Sequence, residues 1–226
     1  MTDKIKDSMS LEGHAVIFDM DGVITDSERW NVQATIDILK EEGVQICAQE
    51  LSLFSGRTQE MIWGTLKERF QLCEDVEFYV KQFFEVRDHM LEMTGGVQPM
   101  PGAAELIEKL HTRGIPLASA SGSPVSDIEA YMQKLGIRKC FRNVVSGCDC
   151  KEGKPSPEIY LRAAEVVGYP PEKCIVIEDA LNGMKAARAA GMLCIGYVPP
   201  TSYITDVSNA DVVIQHFDEF QRVFLF

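Results

Sequence analysis

The chain has 226 residues and carries 22 basic against 34 acidic side chains, a formal net charge of −12 that opposes binding to nucleic acid or to an anionic membrane. No apolar run reaches the roughly 20 residues of a membrane span, and the first 13 residues lack the apolar centre of a signal peptide. Seven scattered cysteines fit a reducing compartment, so these features together predict a cytoplasmic protein, monomeric by default, whose partner is a small molecule.

The first predicted element is a buried strand over Ala15–Phe18, preceded by a polar stretch, residues 1–13, that we expect to be a loose tail. The strand is continuously apolar rather than alternating, which is typical of a strand covered on both faces. Asp19 and Asp21 stand directly behind it. Two carboxylates at a strand end can bind a hard cation and divide nucleophile and acid–base work, although an ordinary polar turn would have the same composition.

A helical insert is predicted next. Three helical patterns cover 28–42, 59–70 and 76–93, without a convincing strand, and glycines and prolines from residue 95 onward mark the return of the chain. An insert that leaves directly behind the first strand would lie over the sheet edge where ligands of α/β proteins bind. We therefore predict a helical cap over 28–95 and a core made of 1–27 and 96–226. The alternative is a helical subdomain that packs aside and contributes stability alone.

Strands and helices alternate over the rest of the chain. The predicted strands cover 115–120, 174–177, 193–198 and 211–214, and the predicted helices cover 102–113, 125–135, 157–167 and 181–190. Three of these helices are followed by a glycine, which can adopt the left-handed conformation that ends a helix. The alternation predicts an α/β fold with a doubly wound parallel sheet.

Polar residues stand at or near the ends of the predicted core strands, and in a doubly wound sheet those ends converge on one crevice. Besides Asp19 and Asp21, they are Ser119 and Ser121, which flank Ala120 at the end of the second core strand, Lys154 in the loop before the third, and Glu178 and Asp179 at the end of the third.

These side chains are consistent with one reaction. Mg²⁺ would take carboxylates from two strand ends, here Asp19 and Asp179, together with a substrate phosphate oxygen. The metal and the Lys154 ammonium would offset the repulsion between an anionic nucleophile and a phosphoryl group, and Ser119 would donate to the transferring oxygens. Asp19 would attack phosphorus to form an aspartyl phosphate, while Asp21 would protonate the leaving oxygen and later activate water. The alternative for Lys154 is an ordinary solvated loop lysine.

Four motifs in this order resemble those of the haloacid dehalogenase superfamily of phosphotransferases. They are Asp-x-Asp-Gly-Val, the strand-end serine of Leu-Ala-Ser-Ala-Ser, Gly-Lys-Pro-x-Pro and Glu-Asp-x-x-Asn-Gly, within residues 15–198. Four ordered motifs make a specific signal where any single one would be weak. The chain is similar to the branch that contains β-phosphoglucomutase and small sugar-phosphate phosphatases, which carry a helical cap inserted after the first motif and a Rossmann-like core.

The resemblance implies a Mg²⁺ site and the two catalytic carboxylates. Asp19 is then the nucleophile and a metal ligand, and Asp21 is the general acid–base residue and a metal ligand through its carbonyl. Asp179 completes the metal site. Glu178 is a secondary ligand that acts directly or through water.

The resemblance also implies the phosphate contacts. Ser119, Ala120 and Lys154 are then the residues that bind the phosphoryl group, with Ser119 and Lys154 counted among the catalytic residues. Composition does not separate Ser119 from Ser121, and the motif register favours Ser119. Arg57 in the predicted cap is a candidate substrate contact.

The activity implied is Mg²⁺-dependent hydrolysis of a small phosphorylated metabolite, a phosphate monoester such as a sugar phosphate. The alternative within the branch is a phosphosugar mutase. The mutase-like sequence has a histidine soon after the first motif, where this chain has Trp30 and Asn31, and an arginine three places after a cap-loop glycine, where this chain has Gln59. These departures favour the phosphatase.

Two other classes of protein stay open as remote alternatives. A signalling receiver also has a metal-bound aspartate and a Lys-Pro loop on a doubly wound sheet, but it needs no helical insert. A non-catalytic phosphosugar-binding protein would have the same site without turnover. Steady phosphate release would indicate the enzyme, a single stable phosphorylation would indicate a receiver, and binding alone would indicate the non-catalytic binding protein.

Overall fold

The computed structural model describes residues 9–200, 202 and 206–225. Its strands are β1 (Met9–Ser10), β2 (Ala15–Phe18), β3 (Leu117–Ser121), β4 (Asn143–Ser146), β5 (Cys174–Glu178), β6 (Leu193–Tyr197), β7 (Val212–Ile214) and β8 (Phe224–Leu225). Its helices are α1 (Glu28–Glu41), α2 (Ala48–Leu51), α3 (Gln59–Phe70), α4 (Val76–Met93), α5 (Ala103–Thr112), α6 (Val125–Lys134), α7 (Glu158–Val167), α8 (Leu181–Ala189) and α9 (Phe220–Val223). In this described part of the chain, no helix combines the length and the apolarity that a membrane crossing requires.

Six of the described strands form one parallel sheet in the order β4-β3-β2-β5-β6-β7. Helices cover both of its faces. In β2, Val16 and Phe18 belong to the apolar cluster that includes α5 and α6, whereas Ala15 and Ile17 belong to the cluster that includes α7 and α8. All four side chains are fully buried, which explains the continuous apolarity of this strand. The predicted α/β fold with a doubly wound parallel sheet is confirmed.

Strand β4 was not predicted from the sequence. It lies at the edge of the sheet beyond β3, and Ser121 of β3 pairs with its last residue, Ser146. Only Val144 and Val145 among its four residues are apolar, so the strand lacks the long apolar run that marks its neighbours. The other core strands lie within about two residues of their predicted bounds.

The prediction of a loose tail over residues 1–13 is wrong for its last residues. Met9 and Ser10 pair in parallel with Phe224 and Leu225, and the Leu11 side chain is fully buried in the main apolar cluster. The backbone pairing and this single leucine anchor the segment, which is otherwise polar in sequence. Residues 1–8 lie outside the described part of the chain.

Residues 28–93, called the helical segment below, contain α1 to α4. The helices share an apolar cluster of their own, in which Trp63, Tyr79 and Phe83 are fully buried and the rings of Trp63 and Tyr79 stack 5.2 Å apart. The two chain connections to the sheet run side by side, since the Asp26 amide donates to the Gln98 carbonyl at 3.0 Å. The helical segment therefore begins and ends next to the carboxyl end of β2.

Candidate functional site

The carboxyl ends of β2, β3 and β5 meet at one edge of the sheet. Phe18, the last residue of β2, lies opposite Ser119 of β3 on one side and Ile177 of β5 on the other. Because neighbouring parallel strands keep this register, the residues that follow, Asp19 and Glu178 among them, emerge at the same level. The pattern of polar strand ends in the sequence thus corresponds to one cluster in space.

Lys154 lies at the centre of this cluster. Its Nζ is 2.5 Å from Asp19 Oδ1 and 2.6 Å from Glu178 Oε1, and it also donates to the Ala120 carbonyl at 3.2 Å. Its side chain is 1% exposed, so it is not a solvated loop lysine. Burial alone would lower the pKa of Lys154, but the charges of Asp19 and Glu178 outweigh burial and raise it. The ammonium is therefore charged at neutral pH.

Three carboxylates beside Lys154 offer a site for a hard cation. Asp19, Glu178 and Asp179 each contribute a ligand atom, and these atoms lie within 4.8 Å of one another. Burial raises the pKa of Asp19 and of Asp179, and the charge of Glu178 raises both further. A bound divalent cation would relieve this unfavourable charge, and oxygen ligands suit Mg²⁺. A side chain at Gly22 would collide with the Asp179 carboxylate, so that glycine keeps the ligand position clear.

Glu178 is held by groups of the protein on both carboxylate oxygens. Its Oε1 accepts from Lys154 and from the Tyr160 hydroxyl, the latter at 2.9 Å, and its Oε2 accepts from the Ala180 amide at 2.7 Å. Direct metal binding would compete with these hydrogen bonds. The geometry is therefore better suited to Asp19 and Asp179 as direct ligands, with Glu178 as a secondary one.

Asp21 accepts hydrogen bonds from four side chains. Ser27 and Asn31 donate to Oδ1 at 2.6 and 3.3 Å, and Ser121 and Ser123 donate to Oδ2 at 3.2 and 2.7 Å. Ser27, Asn31 and Ser123 were not predicted as site residues. Each lies within about ten positions of a recognised motif, but serine and asparagine are common in turns, so their sequence signal is weak.

Ser119 and Ser121 have different surroundings. Ser121 Oγ is bonded to Asp21, whereas Ser119 Oγ is buried and has no hydrogen-bond partner within the described residues. A buried hydroxyl without a partner is unfavourable, and a bound group that accepts a hydrogen bond would satisfy it. Ser119 is thus the serine at this strand end whose hydroxyl can donate a hydrogen bond to a bound group.

The helical segment covers the cluster and leaves a cavity of 50 Å³, room for a few water molecules. Asp19 and Asp21 line it from the sheet edge. From the helical segment, the lining includes Glu28, Asn31, Arg57, Gln59, Phe84 and Arg87. Arg57, the predicted cap contact, therefore lies at the cavity.

The loop between α2 and α3 closes tightly on the core. Asn182 Nδ2 donates to the carbonyls of Leu53 and Ser55 at 2.9 and 3.0 Å. A Cβ added at Gly122 would lie 2.7 Å from the Arg57 carbonyl, closer than such atoms normally approach. The loop can rest at this position because residue 122 has no side chain.

Glu28 is a further acidic residue of the cavity that the sequence did not single out. Its Oε1 accepts from the Ser55 hydroxyl at 2.5 Å. Burial raises the pKa of Glu28 to about 7, and the nearby charge of Asp21 adds to the rise, while the hydrogen bond from Ser55 opposes it. This carboxyl therefore changes its charge near neutral pH.

The sequence of the chain is similar to a family of hydrolases and to two known proteins. The family model of haloacid dehalogenase-like hydrolases matches residues 14–191. Over 178 residues the chain is 34% identical to the fructose-1-phosphate phosphatase YqaB of Escherichia coli (strain K12), which covers 78% of this chain and 92% of that protein. Over 184 residues it is 33% identical to Protein SUPPRESSOR OF QUENCHING 1, chloroplastic, of Arabidopsis thaliana, which covers 80% of this chain but only 17% of that much longer protein.

Solved structures share its fold. A crystal structure of β-phosphoglucomutase from Clostridium difficile matches 93% of this chain and 96% of its own, with a TM-score of 0.78 and 23% identity. The structure of CbbY from Rhodobacter sphaeroides in complex with phosphate matches 94% of this chain and 97% of its own, with a TM-score of 0.76 and 26% identity.

Proposed function

The chain belongs to the haloacid dehalogenase-like hydrolase family, and from this membership and the geometry of its site we propose that it is a Mg²⁺-dependent phosphatase of a small phosphate monoester, such as a sugar phosphate. The observation that carries the proposal is the buried contact of Lys154 Nζ with Asp19 Oδ1 at 2.5 Å, beside Asp179. A cation beside a buried carboxylate allows an anionic phosphoryl group to approach an anionic nucleophile.

The proposed reaction proceeds in two displacements at phosphorus. In the first, an Asp19 carboxylate oxygen attacks phosphorus, the ester P–O bond breaks, and Asp21 gives its proton to the leaving oxygen. In the second, Asp21 takes a proton from water, which attacks the aspartyl phosphate and releases inorganic phosphate. Asp19 is regenerated, and the sum is one ester and one water converted to an alcohol and phosphate.

Lys154 and Ser119 would stabilise the transferring group. The Lys154 ammonium, charged and aimed at Asp19, compensates for the charge that develops on the phosphoryl oxygens. The unpartnered hydroxyl of Ser119 supplies a donor at the same strand end. Mg²⁺, held by Asp19, Asp179 and the Asp21 carbonyl with Glu178 as a secondary ligand, would supply further charge neutralisation when bound.

The helical segment, with its return linker to residue 95, would act as a cap. A cavity of 50 Å³ is too small for a phosphosugar, so the loop between α2 and α3 must leave its position near Gly122 before substrate can bind. The division into a core (1–27 and 96–226) and a cap (28–95) is part of this proposal.

Similarity to other proteins supports this reaction class. YqaB, of which this chain covers 92%, is named a fructose-1-phosphate phosphatase. The structure of CbbY, which is 26% identical to this chain, was solved with phosphate. Both fit a phosphate ester as the substrate of the site.

The test is phosphate release from a panel of sugar phosphates in the presence of Mg²⁺, with product analysis. Steady release of phosphate that depends on Asp19 supports the phosphatase. A panel that includes β-glucose 1-phosphate also detects the alternative, because conversion to glucose 6-phosphate without net hydrolysis would identify a mutase. A single stable phosphorylation of the protein, or binding without turnover, would overturn the proposal.

A further inference from the structure

Tyr160 of α7 places a hydroxyl group in an otherwise apolar layer. Its side chain is fully buried and belongs to the apolar cluster on the sheet face that α7 and α8 cover, together with Ile17 and Val176. A phenylalanine ring would fill the same space, and a buried hydroxyl is unfavourable unless it has a partner. The Tyr160 hydroxyl has one, because it donates to Glu178 Oε1 at 2.9 Å. The hydroxyl therefore serves the polar cluster at the strand ends rather than the packing of α7.

Tyr160 also contacts the Lys154 ammonium. Lys154 Nζ lies over the Tyr160 ring, 5.0 Å from its centroid, and donates to the same carboxylate oxygen, Glu178 Oε1, at 2.6 Å. A lysine side chain has a flexible aliphatic stem, whereas a tyrosine side chain is rigid and has few torsions. Tyr160 is thus the more rigid of these two donors to Glu178 Oε1.

The Glu178 carboxylate is enclosed by groups of the protein. Its other oxygen, Oε2, accepts from the Ala180 amide at 2.7 Å, and a Cβ added at Gly183 would overlap the carboxylate. Yet one of its oxygens lies within 4.8 Å of ligand atoms of Asp19 and Asp179. Glu178 is therefore close enough to compete as a direct ligand of a cation, and its hydrogen bonds to the protein oppose this.

From these contacts we propose that Tyr160 is a positioning residue that keeps Glu178 paired with Lys154, and so keeps this carboxylate from becoming a direct ligand of the cation. The inference rests on the metal site of the proposed function. Ca²⁺ takes about six to eight oxygen ligands in flexible geometry, whereas Mg²⁺ requires a nearly ideal octahedron and few carboxylates. An extra carboxylate oxygen favours Ca²⁺. By holding Glu178, Tyr160 makes the site selective for Mg²⁺ against Ca²⁺.

Calorimetric titration of the full chain with Mg²⁺ and with Ca²⁺ measures this selectivity. We expect Tyr160→Phe to raise the affinity for Ca²⁺ relative to that for Mg²⁺ at least about fivefold. We also expect kcat to fall about tenfold, because Glu178 no longer holds Lys154 in place. An affinity ratio equal to that of the wild-type protein would overturn the inference and leave Tyr160 with a structural role only.

Two further variants serve as references for this titration. Asp179→Asn, which lacks a direct ligand, identifies the heat from cations bound elsewhere on this acidic protein. Tyr79→Phe is the matched control, because Tyr79 is also fully buried and its hydroxyl accepts a hydrogen bond, but in the helical segment. It should leave the ratio of the two affinities unchanged. A shift in Tyr79→Phe as large as that in Tyr160→Phe would overturn the inference.

A double variant tests whether Glu178 carries the effect. In a Glu178→Gln background the carboxylate is absent, so Tyr160→Phe should not change the affinity ratio further. A change as large as that in the wild-type background would overturn the inference, because another group would then be responsible.

Cation binding needs no turnover, and this separates the inference from the proposed function. If the wild-type protein releases no phosphate but Tyr160→Phe shifts the affinity ratio, the phosphatase fails and the positioning role stands. If the wild-type protein releases phosphate but the ratio is unchanged in Tyr160→Phe, the positioning role fails and the phosphatase stands. Failure of the wild-type protein to bind either cation would overturn the metal site and the inference with it.

Discussion

Arg87 of α4 donates from Nη2 to Asp127 of α6 at 2.8 Å, and this ion pair joins the helical segment to a helix of the sheet layer. The Arg87 side chain is 4% exposed and its guanidinium lies over the Phe84 ring at 4.7 Å. A buried guanidinium requires its partners, because an unpaired charge in this position is costly. The pair is thus part of what holds the helical segment against the core.

We expect Asp127→Asn to lower the free energy of unfolding by about 1–2 kcal/mol, because Arg87 keeps Asp88 as a second partner. Urea denaturation measures the change. Arg87→Met combined with Asp127→Asn should cost less than the sum of the single changes, since both remove one contact. Glu85→Gln, which removes a solvent-exposed pair with Lys81, is the control and should have almost no effect. Strict additivity would mean that the pair does not couple.

We expect Asp19→Asn to reduce phosphate release at least about a thousandfold while the protein stays folded, because an amide cannot act as the nucleophile. Phosphate release and circular dichroism measure the two properties. Asp37→Asn, the same change in a surface residue of α1, is the control. Substantial turnover by Asp19→Asn would contradict the role given to this carboxylate.

Removal of divalent metal should abolish activity, and Mg²⁺ should restore it. Because a bound ion would relieve the repulsion among Asp19, Glu178 and Asp179, Mg²⁺ at about 100 times its dissociation constant should also stabilise the fold by about 2.7 kcal/mol. Thermal unfolding with and without Mg²⁺ measures this, and Asp179→Asn should diminish the shift. Full activity in excess chelator would exclude the metal site.

The raised pKa of Glu28 predicts a pH dependence of stability. Its carboxyl holds a proton up to about pH 7 in the folded protein and loses it near its ordinary value of 4.5 in the unfolded chain. The unfolding free energy should therefore fall as pH rises from about 4.5 to about 7 and then level off. Glu28→Gln should remove this contribution, as measured by urea denaturation in chelator-treated buffer. A variant profile parallel to that of the wild type would argue against it.

Gly122→Ala should weaken catalysis more than stability. The added Cβ would press on the Arg57 carbonyl and keep the loop between α2 and α3 from closing, so we expect kcat/KM to fall about tenfold or more. Gly64→Ala, at a position of α3 with open space around it, is the matched control and should stabilise the helix by up to about 1 kcal/mol without loss of activity. Unchanged kcat/KM in Gly122→Ala would mean that the close approach is not needed.

The sheet could be predicted from the sequence because its central strands are buried on both faces. Burial on both sides imposes a continuous apolar run, and the polar residues that end each run stand out, as Asp19 and Glu178 do. Strand β4 carries only two apolar residues at the sheet edge and gives no such signal. β4 is a strand because it pairs with β3 in the folded chain, and this contact between distant segments has no local sequence pattern.

The partners of the site residues could not be predicted in the same way. The bonds from Ser27, Asn31 and Ser123 to Asp21 depend on how a turn, a helix and a strand end meet in space. A single serine or asparagine several positions away from a motif belongs to no periodic pattern that would identify it as a site residue. The sequence could therefore indicate the candidate carboxylates of the site but not the groups that hold them.

The pairing of β1 with β8 places the two ends of the described chain side by side, near the start of β2 and therefore away from the candidate site. Strands paired in this way lie about 5 Å apart. A pair of fluorophores at Ser10 and Leu225 would therefore report separation of β1 from β8 and would be insensitive to movement of the helical segment. A second pair of fluorophores, one on the helical segment and one on α6, would report movement of the helical segment relative to the sheet and its helices.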